Sequence, residues 1–116
     1  MLILAPSYKR AGGLLTHHVL PSTIYCVHSF EAEEYRAQGV EVIEMPDEIR
    51  GNIARVRNWL VDWAAEQGET EILLLDDDIV RFGCFYRTTG ADALVGDAAE
   101  EKVEHCFRVA EEGGVA

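Results

Sequence analysis

The stretch Glu71-Ile72-Leu73-Leu74-Leu75-Asp76-Asp77-Asp78 decides how the rest of the chain is read. An unbroken apolar run closed abruptly by polar residues is what a strand buried on both faces presents, and burial on both faces is the habit of parallel sheets. Working outward, Leu2-Ile3-Leu4-Ala5 is a second such run, closed by Pro6-Ser7. Thr23-Ile24-Tyr25-Cys26-Val27 is rich in β-branched and aromatic residues and reads as another strand. Val40-Glu41-Val42-Ile43-Glu44-Met45 alternates before it meets Pro46, the pattern of a strand near a sheet edge.

Helical signals separate these strands. Leu14 to Leu20 reads as a short helix ended by Pro21, and Ser29 can cap a helix over about Phe30–Gln38 stopped by Gly39. The best-defined helix starts at Ile53 and stops at Gly68; Ile53, Val56, Leu60, Trp63 and Ala64 share an arc of ~100° on its wheel. Residues Ile79–Leu94 leave strand and packed loop both open. Asp97 with Glu100 has the spacing of a capping box, opening a helix whose face is Val103, Cys106, Phe107 and Ala110, with Gly113-Gly114 as its stop. The alternation predicts an α/β fold, a mostly parallel sheet of about four or more strands with helices on both faces. Val115-Ala116 after the glycine stop reads as the start of a further strand, so residues 1–116 are expected to be part of a larger fold.

With 116 residues the chain is sized for one domain, and 48% hydrophobic with 27% charged residues is the composition of a globular protein. The net charge of −11 repels phosphate backbones and gives autonomous nucleic-acid binding no support. No apolar run approaches the ~18–20 residues of a membrane span, and Met1 to Ala5 is too short for a signal-peptide core. Cys26, Cys84 and Cys106 are odd in number and form no C-x-x-C pair, which fits small core residues in a reducing, cytoplasmic setting.

The aspartate triplet is the sharpest chemical signal. Strand ends of a parallel sheet converge on the crevice where ligands bind, and alternate residues of an extended segment point the same way. Asp76 and Asp78 are therefore expected to face one site, with Asp77 facing elsewhere. Two hard carboxylates suit Mg²⁺ or Mn²⁺, which complete their shells with water and substrate phosphate. The bland reading is that the triplet caps a turn. Arg57 falls inside the apolar arc of its helix, where a buried guanidinium needs a carboxylate partner or a ligand phosphate or base. The loop Pro6-Ser7-Tyr8-Lys9-Arg10 leaves the first strand at the same sheet edge and offers hydroxyls and cations to a nucleotide. His17, His18, His28 and His105 show no ligand spacing, and Trp59 and Trp63 read as core and rim packing.

Taken in order, Ala5-Pro6-Ser7-Tyr8, Glu34-Tyr35-Arg36, Met45-Pro46, Arg57-Asn58-Trp59 and Leu75-Asp76-Asp77-Asp78-Ile79 resemble the nucleotide-sugar half of GT-A glycosyltransferases, and among them the phage and bacterial TET-associated glycosyltransferases. The resemblance covers about residues 2–82. It implies a Rossmann-like GT-A half that binds a nucleotide sugar, a UDP-sugar first, and takes part in glycosyl transfer. Ser7, Tyr8, Arg10, Arg57, Asp76 and Asp77 would form the nucleotide site, and Asp76 and Asp78 would hold Mn²⁺ or Mg²⁺. A modified DNA base as acceptor is implied by the resemblance alone. Where many GT-A enzymes have an acidic base-reading residue after the second strand, this chain has His28-Ser29, with Glu31 the nearest acid. The family's acceptor site and general base lie in a C-terminal half beyond residue 116, so the resemblance assigns no catalytic base here.

Two other readings compete. Asp76-Asp77-Asp78-Ile79-Val80 fits the D-x-D-x-[TV] pattern of haloacid-dehalogenase phosphatases, with Asp76 as nucleophile and Asp78 as acid/base, but that motif normally follows the first strand. A non-catalytic assembly module would use an open sheet edge to pair with a second copy as a homodimer.

Overall fold

A computed structural model describes residues 1–86, 90–94 and 96–112, with side chains for 1–81 and 96–108. The chain alternates strand and helix: β1 Leu2–Pro6, α1 Thr16–Val19, β2 Thr23–His28, α2 Ala32–Arg36, β3 Glu41–Met45, α3 Ile53–Glu66 and β4 Ile72–Leu74. An antiparallel hairpin, β5 Phe82–Tyr86 and β6 Gly90–Leu94, and a long helix, α4 Asp97–Glu112, follow. The hairpin settles the segment that the sequence left open. Short 3₁₀ turns at Ala11–Gly13, Ser29–Glu31 and Asp47–Ile49 precede α1, α2 and α3, so the first two helices are shorter than their apolar patterns suggest.

β1 to β4 form one sheet, all parallel, in the order β3-β2-β1-β4. This is the α/β architecture expected from the sequence, compatible with a Rossmann-like fold, and β3 lies at the sheet edge. Strand alternation sorts the core into two faces. Ile3 packs with Val19, Leu20, Ala99 and Val103, and Ala5 with Tyr25, Val27, Ala32 and Tyr35, so α1, α2 and α4 cover one face. Leu4, Ile24, Cys26 and Met45 point the other way, onto Val56 and Leu60 of α3. The chain moves outward from β1 to β3 with its helices on one face, then returns across the sheet to β4 with α3 on the other. A right-handed crossover rule demands that change of face when the direction of travel reverses.

Several local expectations are corrected. The buried stripe of α3 is Val56, Leu60 and Ala64, one turn apart, flanked by the half-buried Trp59 and Trp63. Ile53 and Val61 are 58% and 49% exposed, which puts the seam one step round the wheel and leaves Arg57 exposed on its rim, not buried within it. On α4 the buried positions are Ala99 and Val103, with Phe107 packed beside them; Cys106 is exposed and leaves the core role to Cys26. The Glu100 carboxylate does not close a capping box. It accepts from the backbone N–H and hydroxyl of Ser22, both at 2.6 Å, and so pins α4 to the turn before β2. Ala110 and Gly113-Gly114 lie outside the described side chains and residues.

Glycine is required at two of the helix stops: Gly39 (φ 78°) and Gly68 (φ 81°) take the left-handed conformation that ends α2 and α3. On the α3 face, Leu60→Ala should lower stability by about 2–5 kcal/mol, whereas Val61→Ala should change it by less than about 0.5 kcal/mol. Urea titration followed by tryptophan fluorescence measures both; equal losses would contradict the seam described.

Candidate functional site

The carboxyl ends of the four parallel strands carry two adjoining hollows. The first, about 250 Å³, is lined by Pro6, Ser7 and Tyr8 after β1, His28 at the end of β2, Met45 at the end of β3, and Gly51, Asn52, Ile53 and Val56 at the start of α3. The second, about 260 Å³, is lined by Pro6, Ile53, Arg57, Leu74, Leu75, Asp76 and Ile79. Pro6 and Ile53 belong to both. The second hollow lies where β1 and β4 part company in chain order, the switch point at which open α/β sheets bind ligands.

Of the three aspartates, Asp77 is the one that is buried, 7% exposed, while Asp76 and Asp78 are exposed. The Ser7 hydroxyl donates to Asp77 Oδ2 at 2.5 Å, and Arg10 Nε lies 3.4 Å from the same oxygen. A carboxylate can only accept, so Ser7 has spent its hydrogen and must itself accept from Tyr35, whose hydroxyl lies 2.7 Å away. The Tyr35 hydroxyl in turn accepts from the Arg10 backbone N–H at 3.0 Å. Every donor in this chain is directed, from Arg10 N–H through Tyr35 and Ser7 to Asp77, and such chains polarise one another in a low-dielectric setting. Burial is the main reason that the Tyr35 phenol is pushed above its ordinary pKa; its bonds to Ser7 and to the Arg10 backbone pull the other way.

The backbone of the acidic turn is held as firmly. The Asp77 carbonyl accepts from the N–H groups of Leu15 (2.9 Å) and Thr16 (3.3 Å), satisfying the start of a helix that has no side-chain cap. The Thr16 hydroxyl donates to the Asp76 carbonyl at 2.6 Å and accepts from the Ile79 N–H at 3.0 Å, bridging the turn. One residue on, His17 meets Tyr25 through both its N–H (2.9 Å) and its ring Nδ1 (2.7 Å). Partial burial, and after it the neighbouring His18, lower the His17 pKa.

The loop after β1 is fixed by Glu31. Its Oε1 accepts from the Lys9 N–H at 2.9 Å, at a residue whose φ of 54° is the left-handed conformation that a long side chain adopts only under constraint. Glu31 is 4% exposed and its Oε2 has no hydrogen-bond partner among the described residues. This acid therefore serves the loop and does not line the first hollow. The ring of His28 does, buried to 3% exposure, stacked on Phe30 (centroids 6.1 Å, interplanar 4°) and met edge-on by Tyr8. Nothing in the spacing of the histidines marked His28; its signal was only its position at a strand end.

Of the residues singled out from the sequence, Ser7 and Tyr8 share the first hollow, and Arg57 and Asp76 share the second. Asp77 lines neither and instead anchors Ser7 and Arg10. Arg10 and Asp78 lie together, Nη2 to Oδ2 at 3.5 Å, with Arg10 about half exposed. Among the described residues, no three His, Cys, Asp or Glu side chains converge as a ready-made metal cage. Asp76 lines the second hollow and Asp78, outside that lining, faces Arg10, so the structure does not bring these two carboxylates into one donor set. Comparison of the chain with models of known protein families, with curated proteins and with solved structures gives no match.

Tyr35→Phe would leave the Arg10 N–H and the Ser7 acceptor position unpaired. It should cost about 1–3 kcal/mol, read as a fall of several degrees or more in Tm. For His17, the fold favours the neutral ring, so its contribution is complete above the unfolded value of 6.5 and is lost as pH falls below it. Thermal melts between about pH 7.5 and 5.5 should show stability falling with acidification, and His17→Gln should flatten that part of the profile.

Proposed function

We propose that the chain is the nucleotide-sugar-binding part of a metal-dependent glycosyltransferase of GT-A type. The observation that supports this reading best is the pair of adjoining hollows over a parallel sheet, one walled by Tyr8 and His28 and the other by Arg57 and Asp76. A nucleoside diphosphate divides in the same way, into a flat ring that seeks apolar walls and a charged tail that seeks cations. In this reading the base and ribose occupy the first hollow against Tyr8, beside Ser7. The diphosphate passes over Pro6 and Ile53 toward Arg57, whose exposed fork can hold phosphate oxygens in bidentate fashion.

Asp76 and Asp78 are the residues assigned to Mn²⁺ or Mg²⁺. The Arg10–Asp78 contact is long and joins two exposed groups, so parting them costs little. The cation would offset charge on the departing diphosphate, the chemistry that glycosyl transfer requires of it. Arg10, released from Asp78, would remain beside Asp77 and add a positive group near the phosphates. The D-x-D-x-[TV] phosphatase reading gives the first hollow no role.

Calorimetric titration of UDP and UDP-glucose in the presence of Mn²⁺ should show binding that chelation by EDTA weakens at least about tenfold. Asp78→Asn should reduce the Mn²⁺ dependence, and Arg57→Ala should weaken both nucleotides about tenfold or more. Folded protein that gives no heat with any nucleoside diphosphate, or that hydrolyses a generic phosphomonoester, would overturn the proposal.

A further inference from the structure

Resting on the nucleotide reading above, we infer that His28 selects the base, its bare Nε2 accepting the ring imide N–H of a uracil-type base seated in the first hollow. The argument starts from the opposite side of the imidazole. His28 Nδ1 lies 3.1 Å from the carbonyl oxygen of Pro46, which can only accept, so Nδ1 carries a hydrogen. In the neutral ring Nε2 is then a lone-pair acceptor with its orientation fixed. Asp47, whose Oδ1 lies 3.9 Å from Nδ1, reinforces the same tautomer.

Nε2 has no hydrogen-bond partner among the described residues, and it is not one of the sealed, unpartnered atoms of the fold; the single such atom among those residues is Glu31 Oε2. His28 is 3% exposed and its ring lines the hollow, so the hollow is the space from which a ligand would reach Nε2. A buried acceptor of fixed direction in a mostly apolar space discriminates sharply, because a ligand that cannot donate leaves it unpaired. The stack of His28 on Phe30 and the edge contact with Tyr8 prevent the ring from turning to suit another partner.

The same hollow also holds a donor. Asn52 lines it, and its side-chain oxygen is already taken by the Arg55 N–H at 3.1 Å, so its amide N–H₂ is what remains to offer. An acceptor and a donor lining one hollow complement a ring N–H next to a carbonyl, the edge that uracil and thymine present. Cytosine presents a lone pair at the corresponding ring nitrogen and would set it against Nε2. The acid expected after the second strand is thereby replaced: Glu31 is committed to Lys9, and His28 supplies the acceptor.

The test uses the wild-type chain with Mn²⁺ at about pH 8. UDP, its N3-methyl derivative and CDP are titrated calorimetrically. UDP should bind at least about tenfold more tightly than either of the others. In ¹⁵N spectra of the histidine rings, the His28 Nε2 resonance should move with UDP and stay in place with the N3-methyl derivative. His28→Phe, which keeps the stack, should bring UDP down to the affinity of the methylated ligand. Equal binding of UDP and N3-methyl-UDP, or an unmoved Nε2 resonance, overturns the assignment while leaving nucleotide binding intact. Absence of binding by all three overturns both. The ligand series on the wild-type chain decides the matter even if the variant fails to fold.

Discussion

An ionised carboxylate taken out of water must be given donors, and the burial of Asp77 imposes that demand on most of the molecule. Ser7 and Arg10 answer from the loop after β1, Tyr35 answers through Ser7 from α2, and the start of α1 closes on the Asp77 carbonyl. Three segments are thereby bound to one residue at the mouth of β4. The cost of leaving any of these groups unpaired makes the arrangement nearly all-or-none. The Asp76 and Asp78 side chains stay exposed beside it, while the Asp76 carbonyl holds the Thr16 hydroxyl.

The sheet order does the complementary work. With β1 and β2 inside and β3 and β4 outside, the chain reverses its direction of travel between β3 and β4, and among the described residues α3 covers the face that carries Leu4, Ile24 and Cys26. The first turn of α3 therefore overhangs the strand ends. Ile53, more than half exposed despite its place in an apolar arc, is explained by that overhang: it lies past the end of the sheet, where it walls a cavity and not a core.

Strand positions and the parallel sheet were legible because continuous apolar runs such as Leu73-Leu74-Leu75 have few other uses in a chain of this size. The grouping of Ser7, Tyr8, Arg10 and the aspartates at one sheet edge followed from topology. What sequence did not disclose was direction. Alternation set Asp77 apart from its neighbours but gave no sign that it was the inward one, because that depends on Ser7 and Tyr35, respectively 70 and 42 positions away in the numbering. The sequence places Arg57 within the apolar arc, yet it is exposed, since the seam of α3 is set by the sheet it meets and not by its own average. Glu100 had the spacing of a cap, yet Ser22 offered it two donors at once, and tertiary bonds won over a local one. His28 gave no pattern at all; its meaning lies in Pro46, a residue from the next strand's end.

Pro6 and Ile53 stand between the two hollows as a shared sill. A rigid flat molecule can lie on one side of such a sill or the other, but it cannot lie across it. Anything that fills both spaces must be jointed, with rotatable bonds where it crosses. A fused polycyclic compound would be confined to one side, and inhibitors meant to span the groove would need a flexible neck of single bonds at that point.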